Sequence, residues 1–286
     1  MLLDGTDPKC TRVHINGTEI ATYQFGPPPG EADGEVVFCH GTPWSAASWM
    51  PVARVLADRY RVFLWDMPGY GSSITEPAPA VDLIHQRQRL ASLIDYWNLD
   101  QPHVLAHDVG GAVALGAHLF EDSEFDSLYL VDIVTLEPWG SPFFRLVAQH
   151  EDVFSALPLN LHDALVREYI SSAGSNPLDP AWINELASPW SSAEGQRAFY
   201  RQIAQLSPIH TRPIVEHLDQ VRCRTRIGWG GQDQWIPVGQ AAELADRLPA
   251  DVGIVTFPAA GHLVPVEFTE ELSTDALGWF TGENWR

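Results

Sequence analysis

The sequence predicts an α/β fold: a mostly parallel sheet flanked by helices, with an inserted helical cap. Three observations carry that expectation. Short apolar runs of strand length alternate with stretches of helical spacing in both the first and the last part of the chain, a rhythm that calls for parallel strands joined by crossover helices. The rhythm breaks over 135–218, where helix signals occur without a convincing strand. Near residue 108 an apolar run stops at a charged residue followed by Val109 and two glycines, so a strand enters a helix through a tight turn.

Each element has its own local reason. Val13 and Ile15 alternate with polar neighbours, Asn16-Gly17 supplies a two-residue turn, and Ile20, Thr22, Tyr23 and Phe25 return, which is a β-hairpin. Glu35 to Cys39 and Tyr60 to Trp65 are apolar runs too short for helices and read as buried strands. Between them Trp49, Val52, Ala53, Leu56 and Ala57 keep helical spacing. A helix from about Val81 to Trp97 precedes the strand that ends at Asp108; a second helix and the strand Leu128–Val131 follow. Late in the chain come the strand Arg226–Trp229, a helix over Gly239 to Leu248, a strand over Val252 to Phe257 and a helix over Glu267 to Phe280. The core is therefore expected over 1–134 and 219–286, and the cap over 135–218. Within the cap, Asp179-Pro180 reads as an N-cap with proline in the first turn. Ser191-Ser192-Ala193-Glu194 fits a capping box, and Leu161, Leu165, Val166, Tyr169 and Ile170 form an apolar stripe.

Composition narrows the function classes. With 37 acidic and 17 basic residues, a formal charge of −20 and Lys9 the sole lysine, the surface repels phosphate backbones and anionic lipid. Nucleic-acid and membrane-surface partners are not expected, and a neutral small-molecule substrate is; a homodimer is compatible with the chain. Three scattered cysteines imply no disulfide framework. The amino terminus lacks the basic and apolar blocks of a signal peptide, and no apolar run is long enough to span a bilayer. The expectation is a cytoplasmic protein.

The chemistry gathers at strand ends. A tight strand-to-helix turn pushes the Asp108 side chain into the open in the geometry of a nucleophile elbow. His40-Gly41-Thr42-Pro43 closes an early strand, so the backbone N–H of Thr42, with that of Val109, is placed to form an oxyanion hole. Asp233 follows a late strand in Gly230-Gly231-Gln232-Asp233, and His262 follows the last strand in Ala259-Ala260-Gly261-His262. Taken singly, Asp108 is a helix N-cap, Asp233 a turn residue and His262 a loop histidine. Nucleophile, acid and histidine in this order, each at a strand's carboxyl end, point instead to one catalytic site.

These residues resemble the α/β-hydrolase fold family over nearly the whole chain. His107-Asp108-Val109-Gly110-Gly111 is similar to the aspartate-nucleophile branch, which holds epoxide hydrolases, haloalkane dehalogenases and haloacetate dehalogenases, with Ala106 where glycine is common. The resemblance implies a two-step mechanism: Asp108 attacks an electrophilic carbon, and His262, oriented by Asp233, activates a water that hydrolyses the ester. It calls for no cofactor and no metal. Haloalkane dehalogenases usually carry tryptophan after the nucleophile and haloacetate dehalogenases arginines; this chain has Val109, Gly110, Gly111 and Ala112. Epoxide hydrolases use a cap tyrosine as proton donor, and Tyr200-Arg201 resembles the dipeptide that often supplies it; a packed tyrosine with a locally satisfied hydroxyl is the alternative.

A second cap tyrosine would fall near Ser141-Pro142-Phe143-Phe144, where phenylalanines stand. Trp139, His150 or His210 are the substitutes for that donor. Trp44, Trp139, Phe143, Phe144, His40 and His210 are expected around the substrate, with the His40 side chain holding its loop. Asp132, which closes a strand, is an alternative acid to Asp233. His14, His85, His118, His162 and His217 read as surface or helix residues. The expected reaction is opening of a neutral epoxide to a diol. The rivals are a dehalogenase using the same triad and a hydrolase-like protein that binds a ligand without turnover.

Overall fold

The computed structural model describes residues 8–249 and 252–282, so the amino-terminal stretch read for targeting signals lies largely outside the described residues. Eight strands form one sheet in the order β1-β2-β4-β3-β5-β6-β7-β8. They are β1 Thr11–Ile15, β2 Thr18–Phe25, β3 Glu35–Cys39, β4 Arg61–Trp65, β5 His103–His107, β6 Ser127–Val131, β7 Arg224–Gly230 and β8 Gly253–Phe257. The hairpin β1–β2 and the pair β2–β4 are antiparallel; every other pairing is parallel. Asn16 at φ 49° and Gly17 at φ 76° make the left-handed turn that a two-residue hairpin needs. From β3 the chain runs outward to β4 and later returns to β5 on β3's other side. That reversal opens a crevice at the carboxyl ends of β3 and β5, the ordinary place for a site in such sheets.

Strand alternation sorts the core onto two faces. Val36, Phe38, Val62, Leu64, Leu105 and Tyr129 pack against α1 (Met50–Leu56) and α12 (Thr269–Thr281), through residues such as Trp49, Leu56, Leu272 and Trp279. Val37, Cys39, Phe63, Val104, Ala106 and Leu128 pack on the other side with α2 (Leu83–Trp97) and α3 (Val109–Phe120). Two further helices, α10 (Gly239–Ala245) and α11 (Val264–Glu267), complete the sheet's surroundings.

Between β6 and β7 lie only helices among the described residues: α4 Pro142–Gln149, α5 Glu151–Ser155, α6 Leu159–Ser171, α7 Pro180–Ala187, α8 Ala193–Gln205 and α9 Arg212–Glu216, with short 3₁₀ turns. Val166, Ile170, Trp190, Phe199 and Ile203 of this insertion belong to the same apolar cluster as the α2–α3 face of the sheet. The local signals need two corrections. Asp179 caps α7 through Ala181 N–H as its sequence suggests, but α8 starts one residue later than the capping-box reading. Ser192 is the N-cap and accepts from Gly195 N–H, so the third helical position is a glycine and Glu194 cannot close the box. On α6 the buried face is His162, Val166 and Ile170, while Leu161 is 54% exposed. His118 and His162 lie on helices, as one branch of their reading has it, and are fully buried there, each using both ring nitrogens on neighbours within hydrogen-bond distance. No described helix is long and apolar enough to cross a membrane.

Candidate active site

Asp108 follows β5 and precedes α3 with φ 53°, a left-handed backbone that costs a non-glycine residue on the order of 1–3 kcal/mol and persists only where surroundings enforce it. Its backbone accepts Val134 N–H at 3.0 Å and donates to Val131 at 3.2 Å, which holds the turn. Close approach on both sides requires glycine. A Cβ at Gly41 would sit 2.3 Å from the Asp108 Cβ, and one at Gly110 would sit 2.5 Å from the carbonyl oxygens of Cys39 and His40. The carboxylate makes no cap bond to α3. Instead Oδ1 accepts the Thr42 N–H at 2.7 Å. The next residue, Val109, is the first of α3, where N–H groups have no intrahelical acceptor.

His262 brings its ring to the other carboxylate oxygen. Its Nε2 lies 3.3 Å from Asp108 Oδ2 without hydrogen-bond alignment, leaving that nitrogen buried and unpartnered. On the far side Nδ1 is 2.8 Å from Asp233 Oδ2. Asp233 is itself fixed, because its Oδ1 accepts the backbone N–H groups of Trp235 (2.7 Å) and Ile236 (2.9 Å). His107, the residue before the nucleophile, donates from Nε2 to the His262 carbonyl at 2.7 Å, and burial pushes its pKa down to about 4, so it stays neutral.

The electrostatics follow from this packing. Burial opposes charge on Asp108, yet the His262 ring and the Thr42 N–H outweigh it and hold the carboxyl below its ordinary range. Burial likewise opposes charge on His262, but Asp233 and Asp108 push its pKa well above the ordinary value. Asp132 sits at the end of β6, fully buried, with Oδ1 accepting Gly230 N–H at 2.7 Å and Oδ2 without a partner. Burial and the Asp233 charge drive its carboxyl well up, while Asp233 is the carboxylate that pairs with the imidazole.

Asp108, Thr42 and Val109 floor a cavity of about 220 Å³ walled by Trp139, Phe144 and Tyr169 from the insertion and by Trp235 and Ile236 from the acid loop. Asp108 is the one carboxylate among its described lining residues. Of the residues expected around substrate, Trp139 and Phe144 line it. Four others stand behind or away from it. Phe143 backs Phe144 and Tyr169, with ring centroids 6.5 and 5.2 Å away. Trp44 stacks at 5.8 Å behind Trp235, and its indole N–H is buried without a partner. His40 is a loop brace: Nδ1 donates to Gly41 O and Nε2 accepts Met67 N–H, each at 2.8 Å, with the pKa pushed down to about 4 by burial. His210 does not line the cavity, and its Nδ1 is buried without a partner. The Trp139 indole N–H donates to Thr211 Oγ1 at 3.1 Å, so that donor is already engaged.

Tyr200 needs the largest correction. It is fully buried inside the insertion, where its hydroxyl donates to His162 Nδ1 at 2.9 Å and His162 Nε2 donates to Trp190 O at 3.0 Å. It does not face the cavity. Tyr169 does, and its hydroxyl pKa is driven well up by burial and by the Asp108 charge. Tyr169, Trp235 and Ile236 are among the site residues that sequence reasoning missed. Tyr169 was legible only as part of the α6 stripe, and Trp235 only as a neighbour of Asp233. Trp235 stacks on Tyr169 at 4.6 Å and on His262 at 4.9 Å, so one indole aligns the phenol with the imidazole.

The described residues thus form a strand-end elbow carrying a carboxylate, a histidine held by a second carboxylate, and a helical insertion over the cavity. The chain belongs to the alpha/beta hydrolase family, whose model matches residues 36–274. It is similar to an alpha/beta hydrolase fold protein from Burkholderia ambifaria, with 38% identity, a TM-score of 0.88, and 97% of this chain and 98% of that one covered. It also resembles the epoxide hydrolase CorEH (18% identity, TM-score 0.81, 96% and 99% covered). The haloalkane dehalogenase DbeA from Bradyrhizobium elkani USDA94 stands equally near (18%, 0.81, 97% and 99%). The last two likenesses speak for the fold alone.

Proposed function

We propose that this hydrolase opens a small neutral epoxide to a diol through a covalent ester on Asp108. The observation that carries the reading is the division of labour on one carboxylate: Oδ1 is held by Thr42 N–H while Oδ2 is left toward His262 at the floor of an apolar cavity. Oδ2 attacks a ring carbon, the carbon–oxygen bond of the epoxide breaks, and the departing oxygen takes the proton of Tyr169. His262 Nε2 then removes a proton from water, and the hydroxide adds to the ester carbonyl carbon. Negative charge collects on Oδ1, where Thr42 N–H and the backbone N–H of Val109 stabilise it. Collapse passes the His262 proton to the departing alkoxide and releases the diol; the proton of the regenerated carboxyl returns to Tyr169, leaving a carboxylate with one oxygen from water.

Electrostatic coupling times the two steps. In the free enzyme the Asp108 charge raises the proton affinity of the imidazole, and the His262 ring lowers that of Asp108. Esterification removes the Asp108 charge; the neutral imidazole, still oriented by Asp233, is then free to act as base toward the water.

Dehalogenation is the second reading. The cavity wall offers a single tyrosine, with Phe144 where a second would be expected, and the fold likeness to a dehalogenase equals that to an epoxide hydrolase. His262→Gln incubated with a mixed panel of epoxides and haloalkanes, followed by mass spectrometry of the intact protein, tests both. A stable adduct on Asp108 is expected with epoxides. Adducts from haloalkanes alone support the second reading, and no adduct from any member refutes the covalent route.

A further inference from the structure

The helical insertion is bonded to the loop that carries the oxyanion donor, and one side chain makes the decisive contact. Gln202, fully buried on α8, points its amide oxygen at two core hydroxyls: Thr42 Oγ1 donates to it at 2.8 Å and Tyr70 O–H at 2.9 Å. Thr42 is the residue whose N–H holds Asp108 Oδ1 at 2.7 Å. Trp190, also in the insertion, donates from its indole to the carbonyl of Pro43 at 3.1 Å, one residue further along the same loop. From beneath, His40 fixes the loop at Gly41. The loop is therefore set by the core on one side and by the insertion on the other.

Gln202 is also an expensive way merely to fill space. Its amide nitrogen is buried without a hydrogen-bond partner, and an apolar side chain of the same length would avoid that penalty. What an apolar side chain cannot do is accept two hydroxyl protons. We propose that Gln202 is a positioning residue: by accepting from Thr42 and Tyr70 it seats the Thr42 N–H against Asp108 Oδ1, so that the insertion sets the geometry of the oxyanion hole. This rests on the proposed role of Thr42 as the oxyanion donor. The same helix supplies an internal control. Gln205 Oε1 accepts the Val81 N–H at 2.8 Å, a bond from α8 to the core that does not touch the oxyanion loop.

The consequence is unequal between the two chemical steps. The tetrahedral intermediate of ester hydrolysis places its charge on Oδ1, so a loosened Thr42 slows that step most. Displacements well under an ångström at such a donor cost on the order of tenfold or more in rate. Gln202→Met keeps length and burial but removes the acceptor, and Gln202→Glu keeps an acceptor. Thr42→Val cuts the same bond from the core side, and Gln205→Met cuts the control bond.

Two readouts separate the outcomes. In rapid-quench experiments with an epoxide, Gln202→Met and Thr42→Val should hydrolyse the Asp108 ester roughly tenfold or more slowly, with ester formation and KM little changed. Gln202→Glu should restore the ratio of the two steps, and Gln205→Met should leave it unaltered. Independently of any substrate, amide hydrogen exchange at Thr42, read by NMR, should speed up in Gln202→Met and stay protected in Gln205→Met. Equal slowing of both steps, or unchanged Thr42 exchange in folded Gln202→Met, overturns the positioning role. Failure of every variant to form an ester, with the exchange result as expected, would refute the epoxide reading and leave the positioning role standing.

Discussion

The carboxyl edge of the sheet and the inserted helices meet at one cavity but supply it by different means. The sheet edge contributes Asp108, Asp233, His262 and the Thr42 N–H, each fixed by backbone bonds at a strand end or in the loop just after it. The insertion contributes mainly walls, Trp139, Phe144 and Tyr169, held by packing among aromatic rings. On the proposed function, the groups fixed by backbone are the reacting ones and tolerate little change, whereas the walls fixed by packing select which molecule fits. The proposed function thus divides chemistry from selectivity between the two regions, and variants on each side set one against the other.

The largest effect belongs to the sheet edge. Asp108→Ala should abolish turnover, a loss on the order of 10⁴-fold or more measured by product release, while the folded protein persists in thermal scans. Next comes the contrast between two tyrosines. Tyr169→Phe should slow ester formation by about 10²–10⁴-fold in a rapid-quench assay, the usual worth of a general acid. Tyr200→Phe should spare both chemical steps and instead lower stability by about 1–3 kcal/mol in denaturant titration, because His162 Nδ1 loses its buried donor. If the effects were exchanged, the proton donor would lie in the interior of the insertion after all.

Titration sharpens the comparison further. The folded His262 pKa lies above its ordinary 6.5, so its contribution to stability is fully present below that value and is lost as pH rises through the folded pKa. Asp108→Asn removes one of the two charges responsible, so NMR titration of the ring should give a lower His262 pKa, and its stability loss should be smaller and complete at lower pH. A ring that titrates identically in both proteins would break the timing argument. The smallest effect is at Asp132. Its folded pKa is raised, so the wild type grows less stable, relative to Asp132→Asn, as pH climbs above 3.8 toward the folded value. Melting temperatures at acid and neutral pH should differ between the two proteins by a few degrees at most.

Sequence legibility followed the same division. The elbow, the Thr42 loop, Asp233 and His262 stand where apolar runs stop at turn residues, and such punctuation is written locally in the chain. Tyr169 carries no such mark. It occupies an apolar stripe on a 3.6-residue helix, and which edge of that stripe meets the cavity depends on how α6 rolls against its neighbours. Tyr200 looked the better candidate because Tyr-Arg is a recognisable dipeptide, yet α8 turns it toward His162, itself buried only because α6 rolls away from the side the stripe implied. The one-residue shift at Ser192 has a comparable cause: Ser191 donates to Asp163 Oδ1 at 3.1 Å, a tertiary contact that competes with capping.

The apolar cluster that passes without a break from the α2–α3 face of the sheet into the insertion bears on how this molecule evolves and can be engineered. A roof with its own core can be swapped between related enzymes like a module, but here Trp190, Phe199 and Ile203 share a single interior with Val104 and Leu128. Calorimetry should accordingly record one melting peak rather than two. Chimeras that transplant 135–218 would need matching changes beneath the graft, so new selectivity is more readily reached by altering wall residues one at a time.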